Sequence, residues 1–145
     1  MWLELFVAAT GIIGIIGYQL IGRYFGRDLY VTINSSSMTL RDVSKAVTSS
    51  INADQESLPF SHPRALIGHY TNAEILLKRL VKSMGGFTAP RVVVHPLELI
   101  EGGLTQIEER CMTELAMGAA NARYAVVHIG APLADAEVIK KLKER

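Results

Sequence analysis

The sequence has one cysteine, Cys111, in 145 residues, so no intrachain disulfide can support the fold. That scarcity agrees with a reducing compartment. An excess of one charge is also lacking: 15 basic residues stand against 14 acidic ones, a formal net charge of +1, which leaves no electrostatic case for a nucleic-acid partner. Beyond Arg23 and Arg27 there is no polybasic cluster for anionic lipid. Cys111 falls on the apolar face of a predicted helix and reads as a small buried hydrophobe, not a reactive thiol. The histidines, His62, His69, His95 and His128, are too scattered to spell a metal motif. No Ser, Cys or carboxylate nucleophile has a matched base at recognisable spacing. Catalytic, metal and cofactor-binding residues are therefore assigned to none of these positions.

What the chain does have is a run without charge, Leu5 to Gly22, LFVAATGIIGIIGYQLIG, 18 positions in which Gln19 is the only strongly polar side chain. A bilayer core of roughly 30 Å takes about 20 apolar residues at 1.5 Å rise each, so the run predicts a transmembrane anchor. Glu4 precedes it and Arg23 and Arg27 follow, the reverse of a cleaved signal. The same charges predict that the bulk of the chain faces the cytoplasm. Gly11, Gly14 and Gly17 would let this span approach another, and Trp2, Tyr18 and Tyr24 stand where interfacial aromatics stand. Residues 1–26 are thus expected to be anchor and flank, and residues 27–145 one cytoplasmic domain.

Within that domain, DLYVTIN alternates Leu29, Val31 and Ile33 with Tyr30, Thr32 and Asn34, the pattern of a half-buried strand. Asn34 to Ser37 breaks it with turn formers, and a plain turn is the reading preferred over an anion cradle of backbone amides. Leu40, Val43, Val47 and Ile51 fall at helical spacing and predict a helix, with a second strand from Met38 as the alternative. Residues Asn52 to Pro63 read as a loop. Thr71 and Glu74 form a capping-box pattern before an apolar stripe, Ala73, Leu76, Leu77, Leu80, Val81 and Met84, that Gly85-Gly86 ends. Pro90 opens RVVVH, a β-branched run typical of a strand buried on both faces. Thr105 and Glu108 mark a second capping box, ahead of a helix with Leu104, Ile107, Cys111, Leu115 and Ala119 on one face. YAVVHI, Tyr124 to Ile129, reads as another buried strand, and Pro132 starts a last helix through Leu133, Ala136, Ile139 and Leu142. Strand and helix in alternation imply an α/β layer with parallel crossovers. His95 and His128 close two of those strands, where ligand sites in parallel sheets form.

The helix TNAEILLKRLVKS, then PRVVV, TQIEERCMTELAMGAANAR, a strand and AP-LADAEV resemble the first large subdomain of bacterial actin-like proteins of the MreB type. The resemblance covers about half the chain, Pro63 to Val138, and extends weakly back to Arg27–Asn34, where the family has its first strand and phosphate loop. It implies a ribonuclease-H-like, three-layer α/β fragment with mostly parallel strands, here joined to a membrane anchor. Where the family's loop has a metal-side Asp and a phosphate-facing Gly, this chain has Thr32 and Asn34; where the family has acidic residues before a proline, it has Gly130-Ala131 before Pro132. The resemblance thus implies a pseudo-ATPase without cofactor. The function expected is a non-catalytic interaction protein of the bacterial inner membrane, docking on an actin-like filament or an envelope complex linked to cell shape. The alternative is a small membrane-bound enzyme or ligand sensor at the strand ends near His95 and His128.

Overall fold

The structure is a computed structural model and describes residues 27–144. Five strands form one sheet: β1 (Asp28–Ile33), β2 (Ser37–Asp42), β3 (Val47–Asn52), β4 (Arg91–Pro96) and β5 (Tyr124–Val127). Three helices accompany it, α1 (Tyr70–Ser83), α2 (Gln106–Ala119) and α3 (Asp135–Lys143). The strand order is β3-β2-β1-β4-β5, with β1 in the middle.

The sheet is mixed, which corrects the expectation of mostly parallel strands. β1 pairs antiparallel with β2, and β2 with β3, while β1–β4 and β4–β5 are parallel. The reason lies in the connections. Short turns at residues 34–36 and 43–46 can join only antiparallel neighbours, whereas the segments carrying α1 and α2 are long enough for parallel crossovers. The helix predicted from Leu40 to Ile51 is accordingly a hairpin. Met38 and Leu40 alternate with Thr39 and Arg41, and the buried members face the core from β2.

Two apolar layers cover the sheet. Leu29, Val31, Ile33, Val92 and Val94 form one core with Leu76, Leu77 and Leu80 of α1 and Met112 and Leu115 of α2. On the other face, Tyr30 and Val93 pack with Val138 and Leu142 of α3. With a helix layer on each face, β1 is buried along nearly its whole length, not half-buried as its alternation suggested. β5, read as a buried strand, is only partly covered, because it lies at the sheet edge.

Local signals fare unevenly. The Thr105–Glu108 box closes α2 reciprocally: Glu108 N donates to Thr105 Oγ1 at 3.2 Å and Thr105 N to Glu108 Oε2 at 2.8 Å. The Thr71–Glu74 box does not form, since the cap position lies two residues earlier, at His69, and has no side-chain cap. Gly85 and Gly86 end α1 with φ of +89° and +74°, conformations that side chains rarely adopt. The buried face of α2 is rotated from the predicted one. Met112, Leu115, Ala116 and Ala119 are inside, whereas Ile107 is 81% exposed.

Among the described residues no helix is long and apolar enough to cross a membrane. The run Leu5 to Gly22, with its glycines and flanking aromatics, lies outside the described residues. The described residues thus lend no support to a single-pass inner-membrane architecture, and over them the fold class is corrected to an α/β domain with a mixed five-stranded sheet and three helices.

Candidate functional site at the strand ends

The parallel pairing of β4 with β5 carries His95 and His128 to the same end of the sheet. His95 occupies the fifth position of β4 beside Thr32 of β1, and His128 extends the ladder past β5 through its amide to the Val94 carbonyl, 2.8 Å. Their rings meet edge to face with centroids 4.8 Å apart. The two histidines singled out for their strand-end positions are thus brought together. His62 and His69 are placed elsewhere, the first bridging to Ala65 and the second preceding α1.

A third member, Tyr30, was not singled out in the sequence. The alternation in β1 that turns Leu29 and Val31 toward α1 and α2 turns Tyr30 toward α3. Its hydroxyl lies 2.5 Å from His95 Nδ1 and accepts the Leu133 amide at 3.2 Å. His95 Nε2 lies 3.0 Å from the Gly130 carbonyl oxygen, and His128 Nε2 lies 2.9 Å from that of Ala131.

These contacts assign the tautomers. A carbonyl only accepts, so each Nε2 carries a proton, and a neutral His95 then has an acceptor Nδ1 that takes the Tyr30 proton. The result is one directed relay: Leu133 N–H to Tyr30 O–H to His95, and His95 N–H to Gly130. Gly130 has a φ of +129°, a backbone conformation that favours glycine. The resemblance expected carboxylates at Gly130-Ala131; the backbone carbonyls there serve as acceptors for the two imidazoles.

Electrostatics agree with a neutral His95 and a neutral Tyr30. His95 is 1% exposed, and burial pulls its pKa below the usual 6.5, against the Gly130 bond and aided by the neighbouring His128. Burial raises the Tyr30 pKa above 10.0, opposed by the Leu133 amide and reinforced by Glu137. Neither group is poised as a free acid or base at neutral pH.

The serine turn offers no anion cradle. Asn34 Oδ1 accepts the amides of Ser36 and Ser37 at 2.9 and 2.7 Å, and Ser35 N donates to Glu98 Oε2 at 2.9 Å. Thr32 is a strand residue between Thr39 and His95. Among the described residues no cluster of His, Cys, Asp or Glu could hold a metal ion. Cys111 is half-buried, and burial, with Glu114 nearby, raises its thiol pKa, which disfavours the nucleophilic thiolate.

No known protein-family profile matches the sequence, so the actin-like description draws no support from that comparison and is set aside. A relative is found in Escherichia coli (strain K12), the uncharacterized protein YjaA. It is 34% identical over 129 residues, an alignment that covers 81% of this chain and 98% of YjaA. At that identity over nearly the whole relative, the chain belongs to the YjaA family.

Proposed function

We propose that this chain is a non-catalytic interaction protein that takes an extended segment of a partner protein as an added strand along β3. The observation that carries this reading is the free edge. β3 pairs with β2 over its six residues, and among the described residues no strand lies on its other side. Natural edge strands are usually blunted by charge, proline or a bulge. VTSSIN has no charge and no proline, and its register with β2 runs unbroken from Val47 to Asn52. Main-chain hydrogen bonding along such an edge supplies affinity, and alternate side chains supply selectivity.

The alternative, an enzyme or ligand sensor at His95 and His128, has one point in its favour: the rings converge. Their Nε2 protons, however, are turned onto backbone carbonyls and not into a shared cavity, which favours a structural role for the cluster.

A photo-crosslinking residue, p-benzoylphenylalanine, introduced in place of Ser50 tests the interaction reading in cells. The expected result is a discrete adduct with one partner that disappears when Ser49 is also changed to Lys. Absence of any adduct from positions 48, 50 and 52 would overturn edge docking.

A further inference from the structure

Far from the histidines, at the end of the sheet where β1 begins, a cavity of about 550 Å³ opens between the β2–β3 turn and the segment after α1. That is the size range of small-molecule sites. One wall is an ion pair, Arg27 Nη1 to Asp42 Oδ2 at 3.1 Å. The other Asp42 oxygen accepts the amides of Ser44 and Lys45, so this carboxylate is engaged on both sides.

The remaining polar lining is rich in donors. Lys45 lines the cavity, and its ammonium makes no ion pair among the described residues. Ser49 and Thr88 add two hydroxyls, while the Thr48 hydroxyl is engaged by Arg41 Nη1 at 2.9 Å on the α3 side of the sheet. Apolar surface stands beside them in Met84, Phe87 and Val47, the last 48% exposed. Next in the chain to the lining residues Lys45 and Thr88 stand two residues in the left-handed region that are not glycine, Ala46 at φ +53° and Ala89 at φ +44°. Such conformations persist where surrounding structure enforces them, and they cluster at ligand sites.

A cation without an ion pair among the described residues, hydroxyl donors and an adjoining aromatic surface define one ligand class. We propose that this cavity binds a small organic anion, its charged group held by Lys45 and the hydroxyls of Ser49 and Thr88, its apolar body resting on Phe87 and Met84. The cavity shares Val47, Thr48 and Ser49 with the start of β3, but anion binding requires no docked strand, and Lys45, which the test alters, lies outside β3.

Phenyl phosphate titrated into the full-length chain, followed by amide NMR shifts, tests it. Saturable shifts are expected at residues 45–49 and 84–88, with a dissociation constant on the order of 1 mM or tighter. Lys45→Gln should weaken binding roughly tenfold, the loss of one charge-assisted contact. Because Lys45 is exposed in a turn, that variant leaves the fold intact. Benzyl alcohol, the uncharged probe, should leave these amides unshifted. The proposal is overturned if phenyl phosphate gives no saturable shift there, if benzyl alcohol binds equally well, or if Lys45→Gln binds unchanged.

Discussion

The hydroxyl of Tyr30 in the central strand lies 2.5 Å from Nδ1 of His95 in the neighbouring strand, and the same oxygen receives the amide of Leu133 from the loop before α3. One phenol thus ties two strands to the segment that delivers a helix. Tyr30→Phe removes the proton given to His95 and the acceptor used by Leu133, leaving one buried and one partly buried group unsatisfied. Urea denaturation at pH 7.5 should show a loss of about 1–3 kcal/mol.

The pH dependence follows from His95. Its folded pKa lies below the unfolded value of 6.5, so the fold favours the neutral ring. Above pH 6.5 both states are neutral and the contribution is complete; as pH falls, the unfolded chain takes up the proton first, and stability is lost until pH has passed through the folded pKa. Unfolding midpoints measured from pH 7.5 down to pH 5 should therefore decline. In His95→Gln the decline should be shallower, and an equal decline would show that other groups are responsible.

A second tie crosses the start of the same two strands. Arg91 grips Asp28 through two contacts of 2.8 Å, with Asp28 7% exposed. Removing one partner leaves the other charge partly buried and unpaired, so Asp28→Ala should cost about 3 kcal/mol. The double variant Asp28→Leu with Arg91→Met should recover much of that loss, as a double-mutant cycle in urea would show.

Arg41 of β2 makes two contacts with Asp135 at the start of α3, 2.7 and 2.8 Å. The Arg41 bond holds the Asp135 carboxyl below its usual range. Arg41→Ala should speed amide exchange in α3 more than in α1, and raised salt should do the same to the parent protein.

For α2, Ile107→Lys should leave stability within about 0.5 kcal/mol of the parent, since the side chain is 81% exposed, whereas Met112→Ala should cost about 2–5 kcal/mol. Equal effects in thermal unfolding would restore the buried face first read from the sequence.

That helix illustrates how far local reading reaches. The Thr105–Glu108 box and the Gly85-Gly86 stop were legible, because a cap needs only residues within one turn of each other. The RVVVH strand was legible too, because a β-branched run can be buried from both faces wherever it is placed. Rotation of α2 was not. Leu104 to Ala119 offers two overlapping apolar stripes, and contact with α1 and β5 selects the one through Met112.

Residues 38 to 51 carry the same lesson with greater consequence. Spacing of Leu40, Val43, Val47 and Ile51 satisfied a helix, while Met38 and Leu40 satisfied a strand. Only pairing of β2 with an already central β1 distinguishes them, because the main-chain bonds that reward the strand lie on another segment. His95 and His128 could be placed at strand ends from the chain alone. Their approach to 4.8 Å and the closure of His95 by Tyr30 and Gly130 required β1, β4 and β5 to lie side by side, joining residues 33 and more positions apart in sequence, whereas the His128 contact to Ala131 is local. Composition and short-range order therefore set which segments become caps, turns and strands; contacts between distant segments set which face is buried and which polar atoms find each other, since those energies exist only once the sheet has formed.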